Sequence, residues 1–219
     1  MNISHHLPEE TLTAYATGQL SEAWSLLVAT HLALCPQCRK LASEIENIGG
    51  AMLDALDEAD IGNGSFDQLM QSIDDLPLED KSLARPTARR TPAILPEPLR
   101  SYLGGDLYAL DWKRLGKGVF HIPIKTRDAN AKVRLLRVPA GQPVPMHSHR
   151  GAELTLVLVG AFQTHQGHFL RGDVESADPS IEHMPIATPD EDCICLAVTD
   201  APLRFRSLAA RMLQPFIGI

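Results

Sequence analysis

The 219-residue chain contains no apolar run long enough to span a bilayer, and its first residues, MNISHHLPEETL, lack a basic segment followed by an apolar one. Both absences argue against a helical membrane anchor or an export leader, so the expected location is the cytoplasm. Positive charge is also in short supply. Twenty Lys and Arg stand against 27 Asp and Glu, a formal net charge of −7. A general basic surface for nucleic acid is therefore excluded, and a partner with a positive face fits better. Cysteine occurs only four times. In a reducing compartment such thiols bind metals or fill cores rather than forming permanent disulfides.

With 44% apolar and 21% charged residues, the chain has enough material for one large core or two modest ones. From Glu9 to about Asp75 the apolar residues recur at helical spacing, as in Leu20, Ala23, Trp24, Leu27 and Val28, then Leu41, Ile45, Ile48, Met52, Leu53 and Leu56. IGNGS interrupts the pattern, and FDQLMQSIDDL resumes it with Phe66, Leu69, Met70 and Ile73 on one face. Pro77, Pro86, Pro92, Pro96 and Pro98, with an ARR segment among them, read as a semi-rigid tether. Beyond Tyr102 come short alternating or wholly apolar runs, KVRLLRV, LTLVLVGAF and CICLAV, separated by AGQP, HQGH, RGD and TDAP. These predict antiparallel β structure closing into a sandwich or jelly-roll barrel. The expected fold is α+β in two domains: a small helical bundle over 1–85, a linker over 86–100, and a β-barrel over 101–219.

The front cysteines lie in HLALCPQC. On a helix His31 and Cys35 share a face, and Pro36 suits the first position of a following helix, so Cys35 and Cys38 would meet at a helix junction. A structural zinc site takes four nitrogen or sulfur ligands, and the nearest supply of the fourth is His6 or His5, of which His6 is preferred. Two other readings exist. The cysteines could be plain core residues, or a redox dithiol, although the latter normally sits on a strand-to-helix turn that this helical region lacks.

An N-terminal His followed by H-x-x-x-C-x-x-C in a short helical region resembles the zinc-containing anti-sigma domain. That resemblance covers the first third of the chain. It implies a small helical bundle with a detachable last helix that clasps an extracytoplasmic-function (ECF) sigma factor, with His6, His31, Cys35 and Cys38 as zinc ligands. The segment Phe66 to Leu76 would be the detachable helix, offering Phe66, Leu69, Met70 and Ile73 to the partner. Glu58, Asp60, Asp67, Asp74 and Asp75 would complement a basic partner face, though individually each also reads as ordinary solvated surface.

In the β half, GQPVPMHSHRGAELTLVLVG places His147 and His149 two apart, on one side of an extended strand, with Glu153 beyond a Gly-containing turn. Buried together these groups would be costly unless a cation satisfied them, and His183 is the candidate fourth ligand. The G-x5-H-x-H-x3-E-x6-G pattern from Gly141 to Gly160 is similar to the first cupin motif. Gly172 leads to His183 as in the second, with Asp178 and Ser180 where Pro and Gly are usual and Ala187 in place of Asn. Three imidazoles and a carboxylate suit zinc, iron, manganese or nickel, and zinc is the first choice. His121, His165 and His168 have no spacing argument and read as surface residues. Cys193 and Cys195 point to one side of an apolar strand and read as core residues, with oxidation sensing the lesser alternative.

The two halves together resemble the ChrR family of anti-sigma factors. This implies a one-to-one complex with an ECF sigma factor, no direct DNA binding, no catalytic step, and a cupin domain needed for response to singlet oxygen or related oxidants. The alternative is a cupin metalloenzyme, a dioxygenase or isomerase, with a helical interaction module. Against it, no general base or substrate clamp is recognisable beyond the ligands.

Overall fold

A computed structural model describes residues 3–59, 62–76, 93–116 and 118–205. Four helices come first, α1 (Glu9–Ala16), α2 (Glu22–Leu34), α3 (Pro36–Asp54) and α4 (Ser65–Asp74), and a fifth, α5 (Glu97–Leu103), precedes the strands. The strands are β1 (Lys113–Arg114), β2 (Phe120–Ile124), β3 (Lys132–Val138), β4 (His147–Ser148), β5 (Glu153–Val159), β6 (Ala161–Thr164), β7 (Gly167–Leu170), β8 (Val174–Ala177), β9 (Glu182–His183), β10 (Ile186–Ala187), β11 (Cys193–Thr199) and β12 (Arg204–Phe205). A six-stranded antiparallel sheet, ordered β1-β2-β3-β11-β5-β8, forms one wall of the barrel. Two three-stranded sheets, β10-β6-β7 and β12-β4-β9, complete it. The expected combination of a helical region and an antiparallel cupin-like barrel is what the chain forms.

The strands buried on both faces have their explanation in what covers them. Along β5 and β11, Leu154, Leu156, Leu158, Ile194, Leu196 and Val198 join one core with Leu26, Leu27 and Val28 of α2 and with Leu95 and Leu99. The alternate residues Val157, Cys193 and Cys195 belong to a second core inside the barrel, with Val138, Phe162 and Phe169. A strand buried on both faces loses its alternation, because neither side meets water. Helix α2 is likewise buried nearly all round, with Ala23, Leu26, Leu27, Val28, Thr30 and His31 inaccessible.

The tether expected over 86–100 does not extend that far. Residues 77–92 lie outside the described residues, but the chain from 93 onward is packed, with Leu95 and Leu99 only 1% and 0% exposed. Backbone N–H groups of Ile94 and Leu95 donate to the Asp106 carboxylate at 2.8 and 3.0 Å. Pro96 and Pro98, which read as part of the semi-rigid tether, instead open α5, since a first-turn proline gives up no helical hydrogen bond. The helical region and the barrel thus share a core, rather than being joined by a tether alone.

Helix α4 contrasts with the rest, having no buried residue. Phe66, Leu69, Met70 and Ile73 stand 69%, 58%, 41% and 50% exposed, and Ile48, Met52, Leu53 and Leu56 at the end of α3 are 63% to 68% exposed. Of the acidic residues named above, Glu58, Asp67, Asp74 and Asp75 are exposed on the same segment. Asp60 lies outside the described residues.

The shared core makes a prediction about cooperativity. Leu99→Ala removes a side chain with no exposure from the junction of α5, α2 and the sheet. It should cost about 2–5 kcal/mol, the range for a buried Leu truncation. In chemical denaturation of the full chain, helical and barrel probes should shift together. A shift in one probe alone would show that the two regions do not share a folding unit.

Candidate metal centres

The front centre forms where α2 ends and α3 begins. The backbone N–H of Cys35 still donates to His31 O at 2.8 Å, after which Cys35 leaves the helical conformation (φ −102°, ψ 104°) and Pro36 starts α3. The Cys35 sulfur caps the new helix, accepting from Cys38 N–H at 3.4 Å. From the N-terminal segment His6 brings Nδ1 to 3.4 Å from Cys35 Sγ and 3.5 Å from Cys38 Sγ. With His31, one donor atom of each of the four residues lies within 4.8 Å of the others. His5 turns away, its Nδ1 3.5 Å from Asp173 Oδ2 and its ring 4.3 Å from that of Phe169.

The donor set fits a cation. His31 is wholly buried, and neither of its ring nitrogens has a hydrogen bond of acceptable geometry. Burial lowers its pKa to about 4, although the nearby Gly172 backbone favours the charged form. Burial likewise pushes the Cys38 thiol up to about 11, against a hydrogen bond from the Leu7 backbone. A neutral imidazole with orphaned nitrogens beside two buried sulfurs is costly, and a divalent ion would satisfy all of them.

The second centre lies inside the barrel. β4 pairs with β9 so that His147 stands directly opposite His183, and His149 projects to the same side two residues on. The turn that delivers Glu153 requires glycine at 151, where a Cβ would meet the Asp200 carboxylate at 1.8 Å. The turn before His183, lacking its usual Pro and Gly, is held by Asp178, whose carboxylate accepts from Ser180 N–H at 2.7 Å. His147 Nε2 and His149 Nε2 both lie 3.0 Å from His183 Nε2. His147 Nδ1 faces Pro145 O at 2.8 Å and His183 Nδ1 faces the Glu175 carboxylate at 3.2 Å. Both Nδ1 atoms have acceptors and so carry the protons, which leaves lone pairs converging on one point. Glu153 completes the group, with one donor atom from each of the four residues within 4.8 Å of the others.

This site also fits a cation. Burial lowers His147 and His149 to about 4, helped by the neighbouring imidazoles. Burial raises Glu153 to about 7, against the charge of His183 and a hydrogen bond donated by Thr155. For His183 burial acts downward, but the hydrogen bond and charge of Glu175 outweigh it and the pKa rises. His147 and Glu153 open onto an apolar cavity of about 560 Å³, lined also by Val138, Phe162, Cys193 and Cys195. The two cysteine sulfurs lie 3.4 Å apart, buried and unpaired in any disulfide, and the bond with Cys193 together with burial keeps the Cys195 thiol protonated. His165 and His168 are exposed and His121 is half-buried, and none of the three joins either group.

Sequence reasoning missed the residues that hold the ligands. Glu175, which fixes His183, is 2% exposed, and Asp173, which binds the segment before His6, is wholly buried. Asp173 was visible only as part of an RGD turn. No local pattern announces a carboxylate whose partners are about 170 residues away.

The pKa values set a pH dependence. Glu153 and His183 must each lose a proton to bind a cation; burial holds the Glu153 carboxyl protonated up to about pH 7, and the hydrogen bond and charge of Glu175 raise His183 above the usual imidazole range. Affinity in the barrel should therefore fall as pH drops from 7.5 to 5.5, by about one to two decades per pH unit. In Glu153→Gln the slope should lose about one decade per unit. Metal titrations with a flat affinity over that range would contradict the ligand set.

Comparison with known proteins follows the same division. Residues 103–202 match the family described as the ChrR Cupin-like domain. The chain is 45% identical over 220 residues, the full length of both proteins, to the Anti-sigma-E factor ChrR of Cereibacter sphaeroides. It is also similar to a chain in the crystal structure of Rhodobacter sphaeroides SigE in complex with the anti-sigma ChrR, with 42% identity, a TM-score of 0.78, and coverage of 91% of this chain and all of that one. Matched end to end at that identity, the chain belongs to the ChrR family of anti-sigma factors.

Proposed function

We propose that this protein sequesters an ECF-type sigma factor in a one-to-one complex and keeps it from RNA polymerase, acting by binding and not by catalysis. The observation that carries the proposal is the uncovered apolar stripe of α3 and α4. Eight large apolar side chains from Ile48 to Ile73 lie 41% or more exposed on a segment that also displays Glu58, Asp67, Asp74 and Asp75. A patch of that kind rimmed by one sign of charge marks a protein interface. The similar ChrR chain was crystallised with SigE, which supports a sigma factor as the occupant.

The front centre is read as zinc held by His6, His31, Cys35 and Cys38, tying the N-terminal segment to the α2–α3 junction so that metal binding contributes directly to folding. The barrel centre is read as zinc or another divalent ion on His147, His149, Glu153 and His183. Residues 1–85 would carry the inhibitory surface and 101–219 the cupin that responds to singlet oxygen or related oxidants. No helix among the described residues is long and apolar enough to cross a membrane. The protein is read as cytoplasmic, without direct contact to DNA.

Two substitutions test the surface. Leu69→Asp and Ile73→Asp place charge on the stripe without touching any core. Each should weaken a co-expressed ECF sigma factor's binding by about 30-fold or more, as expected for an interface anchor, with helicity and metal content unchanged. Undiminished binding would move the inhibitory surface elsewhere. Cys35→Ala should abolish both the front zinc and sigma binding, and a variant that inhibits tightly without zinc would remove the structural role given to it.

A further inference from the structure

The two metal centres abut opposite ends of one short stretch of chain. At its start, the buried Asp173 carboxylate accepts from the backbone N–H of Ser4 at 2.7 Å, of His5 at 2.9 Å and of Leu170 at 2.8 Å. The Val174 N–H donates to His5 O at 3.0 Å. The residue before His6 is thus held on both its N–H and its carbonyl. Gly172 lies so close to the N-terminal segment that a Cβ there would come within 2.5 Å of Ile3 Cδ1, and its backbone faces the His31 ring. The segment that carries the front donor His6 is therefore held by 172–174, and the ring of the second donor His31 lies beside it.

The same stretch then serves the barrel. Glu175 accepts from His183 Nδ1 at 3.2 Å and from Thr164 Oγ1 at 3.1 Å. Ala177 is paired with Glu153, and Glu175 with Thr155, across β8 and β5. Only one residue separates Asp173, which anchors the front segment, from Glu175, which fixes a barrel donor. No flexible link intervenes, because β8 is in the sheet and Asp173 is tied to its edge by the Asp173 carbonyl, which accepts from Val157 N–H at 3.0 Å.

We propose that Gly172–Ala177 is a shared strut that couples the two centres, so that an ion in the barrel tightens the front centre's hold on its own ion, and the reverse. The inference rests on the reading that both centres bind metal. An ion on His183 Nε2 holds that ring with its Nδ1–H on Glu175, and Glu175 with the rest of β8 then keeps Asp173 aimed at Ser4 and His5. When the barrel is empty, the His183 ring loses its anchor and the strut loosens at one end. By linkage, the effect on binding is equal in both directions.

The test uses the full chain loaded with Co²⁺. Of the two centres only the front one has thiolates, so the cobalt–thiolate absorption reports it alone. EDTA should remove that band about ten-fold faster from His149→Ala, which empties the barrel without touching Glu175, than from wild type, a coupling within the usual range. In an Asp173→Ala background, which removes the oxygens that accept from Ser4 and His5 N–H and so cuts the strut, His149→Ala should add nothing further. As a check free of substitutions, deuterium uptake at residues 3–8 of the zinc-loaded wild type should rise when the barrel ion alone is stripped by mild chelation. Equal band loss in wild type and His149→Ala, or unchanged uptake at 3–8, overturns the coupling while leaving both centres in place. A wild-type chain that holds a single metal overturns the two-centre reading, and the coupling with it.

Discussion

Strands β5 and β11 are buried on both faces, and most of the architecture follows from covering them. Inside, Val157, Cys193 and Cys195 form an apolar core with the two stacked phenylalanines Phe162 and Phe169. Outside, Leu154, Leu156, Leu158, Leu196 and Val198 need a second layer, and α2 and α5 supply it. That requirement brings the C-terminal end of α2 down onto the sheet. It fixes His31 beside the turn that leads into β8, which is why a candidate metal centre built from helices lies against a strand of the barrel.

Buried polar groups are the second constraint. The described chain places four imidazoles, two thiols and a carboxylate with little or no solvent access in two tight clusters, and gives several of those nitrogens no hydrogen bond. In a low-dielectric interior such an arrangement is unfavourable by several kcal/mol per group unless something satisfies the lone pairs. Each cluster is also furnished with partners that orient it: the Pro145 carbonyl and Glu175 for two barrel imidazoles, the α3 N-terminus for Cys35. Oriented donors around one point are the arrangement a cation requires, and an ordinary core has no use for them.

A third feature runs the opposite way. While α2 is buried nearly all round, the far half of α3 and all of α4 expose an apolar stripe that would be covered in a self-sufficient fold. The helical region therefore splits its labour: one end is anchored by sheet packing and carries the front donor cluster, and the other presents an uncovered apolar surface. The contrast gives physical content to family membership, since a regulator that binds a partner must keep a surface that its own core does not consume.

Much of this was legible in the residues. The helical spacing before Asp75, the alternating runs after Tyr102, and the local parts of both candidate donor clusters could be read from spacing: His31 and Cys35 are one helical turn apart, and His147 and His149 are two residues apart on a strand. The choice of His6 over His5 was not local, and it was decided by where the Asp173 carboxylate and the Phe169 ring hold His5. Nor could the residues 93–100 be read correctly, because prolines that break a chain in isolation open a helix when Leu95 and Leu99 have a core to enter. Periodicity and spacing report what a segment prefers over a few turns. The placement of Asp173 and Glu175 against two different metal centres depends on contacts across the whole chain, and only the packed structure brings those groups within hydrogen-bonding distance.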